Sequence, residues 1–351
     1  MEFFNLQIHN WYSKYKRDLP WRNSHNPYFV WLSEIILQQT RIDQGMAYYL
    51  RFTEEFPTVL DLANASEDQV LKLWQGLGYY SRARNLLFTA KFIQKHHQGK
   101  FPEDYNSIRS LKGIGDYTAA AIASISFNLE YPAVDGNVYR VLSRFFGISE
   151  PIDSNTGKKT FGLLAKELIN GADPGMHNQA LMEFGALQCI PKSPDCTQCP
   201  LNESCFAFAN NKVGELPVKQ NKTKQRDRYF NYLVFECANN TWLRQRIKND
   251  IWKGLFEFPV IETSEGTEVE FVLNHPELVE LLNFKKMSVK RISNWKIHLL
   301  SHQRIHYRFI WFDLSEEIKM TDGLIKVNKE DILNFAVPRL IEECINELSE
   351  K

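Results

Sequence analysis

A mainly helical domain followed by a smaller α+β domain is the fold class that this 351-residue sequence predicts. Two observations carry that expectation. From about residue 27 to residue 205 apolar residues recur at three and four spacing, the period of a helix with one buried face, and beyond residue 228 the period falls to two, the mark of strands. Between them the chain turns polar and basic through Lys219, Lys222, Lys224, Arg226 and Arg228, around Pro217, and reads as a linker. A third feature closes the helical part: Cys189, Cys196, Cys199 and Cys205 form C-x6-C-x2-C-x5-C, four of the six cysteines within seventeen residues. The expected organisation is 1–205, a linker 206–228, and 229–351.

Taken in order, the first strong helix begins at Asn26-Pro27, a capping side chain followed by proline at the first helical position, and runs through Trp31, Ile35 and Ile36. A second apolar stripe, Val70, Leu73, Trp74 and Leu77, stops at Gly76 and Gly78. Leu111-Lys112-Gly113-Ile114-Gly115 ends one helix and an alanine-rich helix follows at once, a hairpin of two helices over about 108–123. Its glycines permit a tight turn and are expected to leave the Ile114 and Gly115 N–H groups facing outward beside a helix N-terminus, a ready phosphate site. A plain helix–turn–helix corner is the competing reading. In Val134-Asp135-Gly136-Asn137-Val138, Asp135 precedes a further helical run, where an ordinary N-cap would account for it. The alternating stretches Tyr229–Phe235, Thr241–Leu243 and His306–Phe312 read as strands.

Composition excludes several classes. With 44% apolar residues the chain can bury a sizeable core, yet no apolar run reaches the eighteen or so residues that span a bilayer, and Met1–Asn10 lacks a targeting pattern. A cytoplasmic protein without membrane contact is expected. The formal net charge is zero, so any nucleic-acid binding must rest on local basic patches. Four thiolates from one short loop suit a [4Fe-4S] cluster, one ligand per iron, or tetrahedral zinc. Zinc ribbons usually hold two CxxC pairs apart, whereas here a single CxxC is flanked by wider gaps, which favours the iron–sulfur reading. One cluster of four cysteines makes a poor disulfide framework for a core of this size.

The combination of LKGIGDYTAAAIAS, VDGNVYRVLSR and the cysteine spacing resembles the helix-hairpin-helix, iron–sulfur DNA glycosylases of the endonuclease III superfamily. Within it DLPWR at Asp18–Arg22, VWLSEIILQQTR at Val30–Arg41 and WQGLGYYSRARNL at Trp74–Leu86 are similar to the adenine DNA glycosylases called MutY, strongly over about residues 10–210 and more loosely beyond. The fold implied is a two-part helical glycosylase domain with a helix-hairpin-helix and a [4Fe-4S] loop, followed by a Nudix-like domain.

The resemblance also implies roles, each with a chemical reason. Excising adenine requires the base to leave the stack and depart as a neutral species. Glu34 matches the family's acid, whose apolar neighbours Ile35 and Ile36 would favour its neutral form if buried. Asp135 matches the carboxylate that steadies the oxocarbenium-like sugar, and Asn137 the residue that orients it; carboxylates about 5 Å apart favour retention through a covalent intermediate. Tyr117 stands where bifunctional relatives carry a lysine nucleophile, and a phenol cannot form the imine. The implied enzyme is monofunctional and leaves an abasic site. Leu19, Trp21, Arg22 and Gln179 match base-pocket positions. Gln39 matches the residue that fills the hole left by the flipped nucleotide, Thr40 lies near the opposing base, Tyr79 resembles an aromatic wedge, and Gly113 and Gly115 belong to the DNA-binding hairpin.

Ile251–Pro259 resembles a Nudix segment with no REUxEE box after it, so the C-terminal domain is expected to bind rather than hydrolyse. His298-Leu299-Leu300-Ser301-His302 resembles an H-x-F-S-H loop that reads 8-oxoguanine, with Leu300 in place of the usual Phe. The expected partner is duplex DNA bearing adenine opposite 8-oxoguanine or guanine, bound by a monomer. The rival is an endonuclease III-like pyrimidine glycosylase with lyase activity, against which Tyr117 and the added domain weigh.

Overall fold

The computed structural model describes residues 1–221, 225–282, 287–315 and 323–349, so residues 222–224 of the expected linker lie outside it. In chain order the helices are α1 Glu2–Tyr15, α2 Pro27–Ile36, α3 Ile42–Glu55, α4 Val59–Asn64, α5 Glu67–Trp74, α6 Ser81–His97, α7 Tyr105–Ser110, α8 Asp116–Phe127, α9 Gly136–Phe146, α10 Asn155–Ile169, α11 Pro174–Leu187 and the short α12 Phe206–Ala209. Strands follow: β1 Arg226–Glu236, β2 Asn240–Gln245, β3 Phe256–Glu257, β4 Val260–Thr263, β5 Met287–Ile292, β6 Lys296–Leu299, β7 Gln303–Leu314 and β8 Leu324–Asn328, with helices Val269–Leu273, Pro276–Leu282 and Arg339–Ser349 among and after them. No helix among the described residues is long and apolar enough to cross a membrane.

Two compact units result: Met1–Asn64 with Asn85–Lys222, and Ala65–Arg84 with Thr223–Lys351. The division differs from the sequence reading at residues 65–84 and in the linker. Residues 65–84, helical as expected, group with the C-terminal unit. Within that unit the Lys72 ammonium donates to the Phe335 carbonyl at 3.1 Å, and the Arg84 guanidinium donates to the Lys253 carbonyl at 2.5 Å. The linker is also shorter than expected, because Arg226–Arg228 open β1 and residues 206–209 form α12.

In the first unit, Phe4, Ile8 and Trp11 of α1 pack with Val138, Val141 and Leu142 of α9, Phe161 of α10 and Phe184 of α11 into one apolar core, with Cys189 and Cys199 against its edge. The helix ends obey local chemistry. The Asn26 side chain accepts from Tyr28 N–H at 3.0 Å ahead of Pro27, and α9 closes on Gly147, whose φ of 72° only glycine adopts without cost. At the hairpin between α7 and α8 the backbone turns through Gly113 at φ 83°. One expectation fails there. The Ile114 N–H does not face outward, since it donates to the Leu111 carbonyl at 3.1 Å and the residue is buried. Gly115, the exposed N-cap of α8, keeps the place beside the helix N-terminus.

The second unit carries a five-stranded sheet in which β1 lies between β4 and β7, β1 and β7 run parallel, and β5 and β6 pair with β7. A three-stranded sheet β3-β2-β8 faces the same core of Leu233, Phe235, Trp242, Ile310 and Phe312.

Candidate active site

One cavity of about 960 Å³ in the helical unit gathers residues that the sequence scatters between Arg17 and Pro191, among them Leu19, Trp21, Arg22, Glu34, Tyr117, Asp135, Asn137 and Gln179. Glu34 sits on the third turn of α2, whose other residues are mostly buried apolar side chains. Packing around this helix withdraws water from the carboxyl while part of the residue still opens on the cavity. Burial therefore raises Glu34 to about 7; a hydrogen bond from Tyr117 opposes the rise, and the nearby negative charge of Asp135 adds to it. The Tyr117 hydroxyl, one residue into α8, donates to Glu34 Oε2 at 2.5 Å. Its own ionisation is pushed up by burial and by the two carboxylates, so it remains a donor.

Asp135 is the N-cap of α9, and the bland reading of it as a cap is correct as far as it goes. Oδ1 accepts from the N–H groups of Asn137 and Val138 at 2.9 and 2.8 Å, and Oδ2 accepts from Asn137 Nδ2 at 2.7 Å. Burial raises this carboxyl, while those donors and Arg140 favour its charged form. Every one of those partners is an N–H donor, which suits a carboxylate rather than an acid. The cap thus also presents an ordered carboxyl, held by N–H donors, on the cavity wall. Asn137 is fixed in turn: its Oδ1 accepts from Arg140 Nη2 at 2.8 Å, and the buried Arg140 also donates to the carbonyls of Gly185 at 2.7 Å and Cys189 at 2.7 Å.

The sequence reading missed the most strongly charged part of the site. Glu183, 2% exposed, accepts from both Arg17 and Arg22, at 2.6 and 2.7 Å through Oε2. Burial alone would raise Glu183, but the hydrogen bonds of the two arginines overcome it and hold the group at about 2. A signal was present: Glu183 is the single acidic residue in α11, between Met182 and Phe184, and a charge in an apolar helix face needs a partner. Gln179, expected in the base pocket, lines the cavity, and its Oε1 accepts from the Tyr12 hydroxyl at 2.9 Å. Gln39 and Thr40 lie at the rim just beyond α2, with Gln39 at φ 57°, a conformation that costs a non-glycine residue of order 1 kcal/mol.

Tyr79 belongs to the other unit. It is 43% exposed and also left-handed, at φ 47°, with the Arg82 guanidinium 5.6 Å from its ring. In the same unit Ser301 and His302 form the exposed tip of the turn between β6 and β7, where Ser301 Oγ and His302 Nδ1 stand 3.1 Å apart. Leu300 N–H donates to the Gln303 carbonyl at 2.8 Å, and Arg226 N–H to the His302 carbonyl at 3.1 Å, so the turn is pinned on both sides. His298 is half-buried, 5.9 Å from the Trp252 ring.

The four cysteines line one small void with Arg144 and Phe208. Among the described residues no three His, Cys, Asp or Glu side chains converge as they would on a single ion. The sulfurs ring a space instead. Burial raises the thiols of Cys196 and Cys205 and pushes Cys199 to about 12; backbone N–H groups oppose the rise at Cys199 and Cys205, and the neighbouring cysteines add to it. Such a set of thiols suits a bound group that supplies positive charge. Arg144 Nη1 donates to Cys189 Sγ at 3.4 Å, the kind of outer contact that fixes a ligand's orientation.

Comparison with known proteins agrees with this geometry. The model of HhH-GPD superfamily base excision DNA repair proteins matches residues 32–166, and a NUDIX domain model matches residues 231–347. The chain is 34% identical to an adenine DNA glycosylase of Buchnera aphidicola subsp. Acyrthosiphon pisum (strain APS), over 97% of this chain and 96% of that one. It is 36% identical to an adenine DNA glycosylase of Buchnera aphidicola subsp. Baizongia pistaciae (strain Bp), over 89% and 87%. Among solved structures, a thermostable thymine-DNA glycosylase superposes with a TM-score of 0.56 at 28% identity, covering 60% of this chain and 96% of that one.

Proposed function

The chain belongs to the adenine DNA glycosylase family, and on that footing we propose that it excises adenine mispaired with 8-oxoguanine or guanine, hydrolysing the N-glycosidic bond and leaving an abasic site. The observation that carries the reading is the pairing of unlike carboxyls on one cavity: Glu34, raised to about 7, and Asp135, surrounded by N–H donors. Two carboxyls with unlike partners, one met by a tyrosine hydroxyl and the other by N–H donors alone, suit an acid and a charge stabiliser.

In the proposed reaction an adenine flipped from the duplex enters the cavity. With Oε2 of Glu34 held by Tyr117, Oε1 carries the transferable proton, which passes to a ring nitrogen so that the base leaves neutral. As the C1′–N bond lengthens, positive charge grows on the sugar and the Asp135 carboxylate answers it, already held by Asn137 and two backbone N–H groups; a water molecule then adds to C1′ and gives its proton to the Glu34 carboxylate, which restores the acid and leaves the abasic hydroxyl. The Glu183 carboxylate with its two arginines presents fixed donors and acceptors to the base edge. Tyr117 cannot form an imine, so no strand cleavage accompanies excision. The exposed turn at Ser301 and His302 reads the opposite base. A [4Fe-4S] cluster on Cys189, Cys196, Cys199 and Cys205 would order the loop whose Cys189 carbonyl holds Arg140.

The test is an assay on duplexes carrying A opposite 8-oxoguanine, A opposite G and A opposite T, quenched with and without alkali. Adenine release from the first two, with strand breaks only after alkali and no adduct trapped by borohydride, is expected. Release of a pyrimidine instead, or breaks without alkali, overturns the reading.

A further inference from the structure

The Tyr117 hydroxyl carries one hydrogen and stands within bonding reach of two acceptors. Glu34 Oε2 lies 2.5 Å from it and Met182 Sδ lies 3.2 Å from it. Met182 is on α11, three residues after Gln179 and next to Glu183, and its half-buried side chain lines the same cavity as Glu34 and Tyr117. The two acceptors differ in kind. A thioether sulfur is weak, a neutral carboxyl is modest, and an ionised carboxylate is strong. The hydrogen is therefore divided differently in the two states of Glu34. While Glu34 holds its proton the sulfur competes for the Tyr117 hydrogen, and once Glu34 is ionised the carboxylate takes it. Whatever the sulfur contributes in the first state stabilises the neutral acid alone. Burial and the two carboxyls push the ionisation of Tyr117 up, so the hydrogen stays on the phenol oxygen throughout.

We propose that Met182 is a positioning residue for the acid: its sulfur takes up the Tyr117 hydrogen bond while Glu34 is neutral and yields it to Glu34 Oε2 as the proton leaves Oε1. The proposal rests on the excision reading above and adds to it a residue that acts only through Tyr117. The single bond that breaks on the protein in this step is the O–H bond of Glu34, and the Tyr117 hydrogen remains covalently on its own oxygen. Two effects follow. The hydrogen bond from Tyr117 that opposes the rise of Glu34 is weakened while the acid waits, and it is delivered in full as negative charge develops on the carboxylate. The charged groups around Glu34 are Asp135 at the start of α9 and Arg22 ahead of α2, with Glu183 of α11 paired to Arg17 and Arg22, Arg140 tied to Asn137, and Arg41 and Asp43 on the cavity wall at the start of α3. All of them are the same in a variant that lacks only the sulfur, so the comparison isolates it.

The experiment compares the full chain with Met182→Leu, which removes the sulfur at nearly constant volume, in single-turnover excision of A opposite 8-oxoguanine across pH. Without the sulfur the hydrogen stays with Glu34, the ionised form gains, and the alkaline limb should move to lower pH by about half a unit. The variant's deficit on that limb should then exceed its deficit about two units lower by about threefold. A packing defect would lower the rate equally at every pH. In the Tyr117→Phe background, where the hydroxyl is gone, Met182→Leu should leave the limb where it is. A limb unmoved by Met182→Leu, or moved as far in Tyr117→Phe as in the parent, overturns the proposal. The acid can also be read without DNA. In protein carrying carbon-13-labelled glutamate, the infrared band of a protonated carboxyl that is missing from Glu34→Gln belongs to Glu34, and it should vanish about half a pH unit lower in Met182→Leu. If the wild-type protein releases no adenine from mismatched duplex, it is the excision reading that fails, and this titration decides the role of the sulfur: a lowered midpoint supports it, and identical midpoints sink it.

Discussion

The Tyr117 hydroxyl donates a 2.5 Å hydrogen bond to Oε2 of Glu34, across 83 residues of sequence, and this bond opposes the burial that raises the acid to about 7. The sign of the pH dependence follows. A raised carboxyl is neutral, and able to give a proton, below its folded value, and loses that capacity as pH rises through it. Single-turnover excision should therefore fall above about pH 7, by about tenfold per unit where the acid form is limiting. Tyr117→Phe removes the opposing bond and should move that limb to higher pH while slowing excision by less than about tenfold. Glu34→Gln should abolish the limb and cost at least ~10²-fold; a pH profile in Glu34→Gln that still falls above 7 assigns the titration to another group.

Arg140 is a positioning residue for Asp135, through Asn137. Lysine at 140 keeps the charge but cannot serve Asn137 Oδ1 and the Gly185 and Cys189 carbonyls at once. Arg140→Lys should slow single-turnover excision by about tenfold or more with mismatch affinity nearly unchanged. Equal losses in affinity and rate would point to a general folding defect.

Removing the carboxylate between Arg17 and Arg22 leaves two cations facing one neutral amide. Glu183→Gln should destabilise the protein by roughly 3 kcal/mol, the low end for breaking a buried pair because Arg17 is partly exposed. Because Glu183 is depressed to about 2, its stabilisation is full above the ordinary 4.5 and is lost as pH falls toward 2. Denaturant titrations should show the gap between wild type and variant narrowing over that window; a gap independent of pH would mean that the arginines are not its source.

The cysteine loop should yield about four irons per chain and brown protein. Cys199→Ser should damage folding or DNA binding before it alters the rate of the chemical step. Stoichiometric zinc from anaerobic preparations would show the metal to be wrong.

Ser301→Ala with His302→Ala should reduce the preference for A opposite 8-oxoguanine over A opposite G, by about tenfold to thirtyfold if two hydrogen bonds of roughly 1 kcal/mol are lost. Excision of A opposite G should persist. Unaltered discrimination would place lesion reading elsewhere, Tyr79 and Thr40 being the next residues to test.

Periodicity and caps are local, and they were legible. The Asn26-Pro27 start, the Gly113 turn, the α9 cap at Asp135 and the switch from helix to strand spacing each depend on a few neighbouring residues, which is why the fold class and most helix ends follow from the chain alone. Glu34, Asp135 and the four cysteines could be picked out as candidates because they sit in motifs of fixed spacing. What the sequence could not supply is which distant side chains meet. Glu183 looks like one acidic residue among apolar neighbours until Arg17 and Arg22, more than 160 residues away, close on it. The grouping of residues 65–84 with the C-terminal unit likewise depends on bonds such as Lys72 to the Phe335 carbonyl, between segments that no local pattern joins. Even the hairpin's N–H groups were decided by tertiary context, since whether Ile114 faces solvent or folds back on Leu111 depends on how its side chain is buried. Burial sets dielectric and partners, and through them the protonation of Glu34; only the packed structure determines burial.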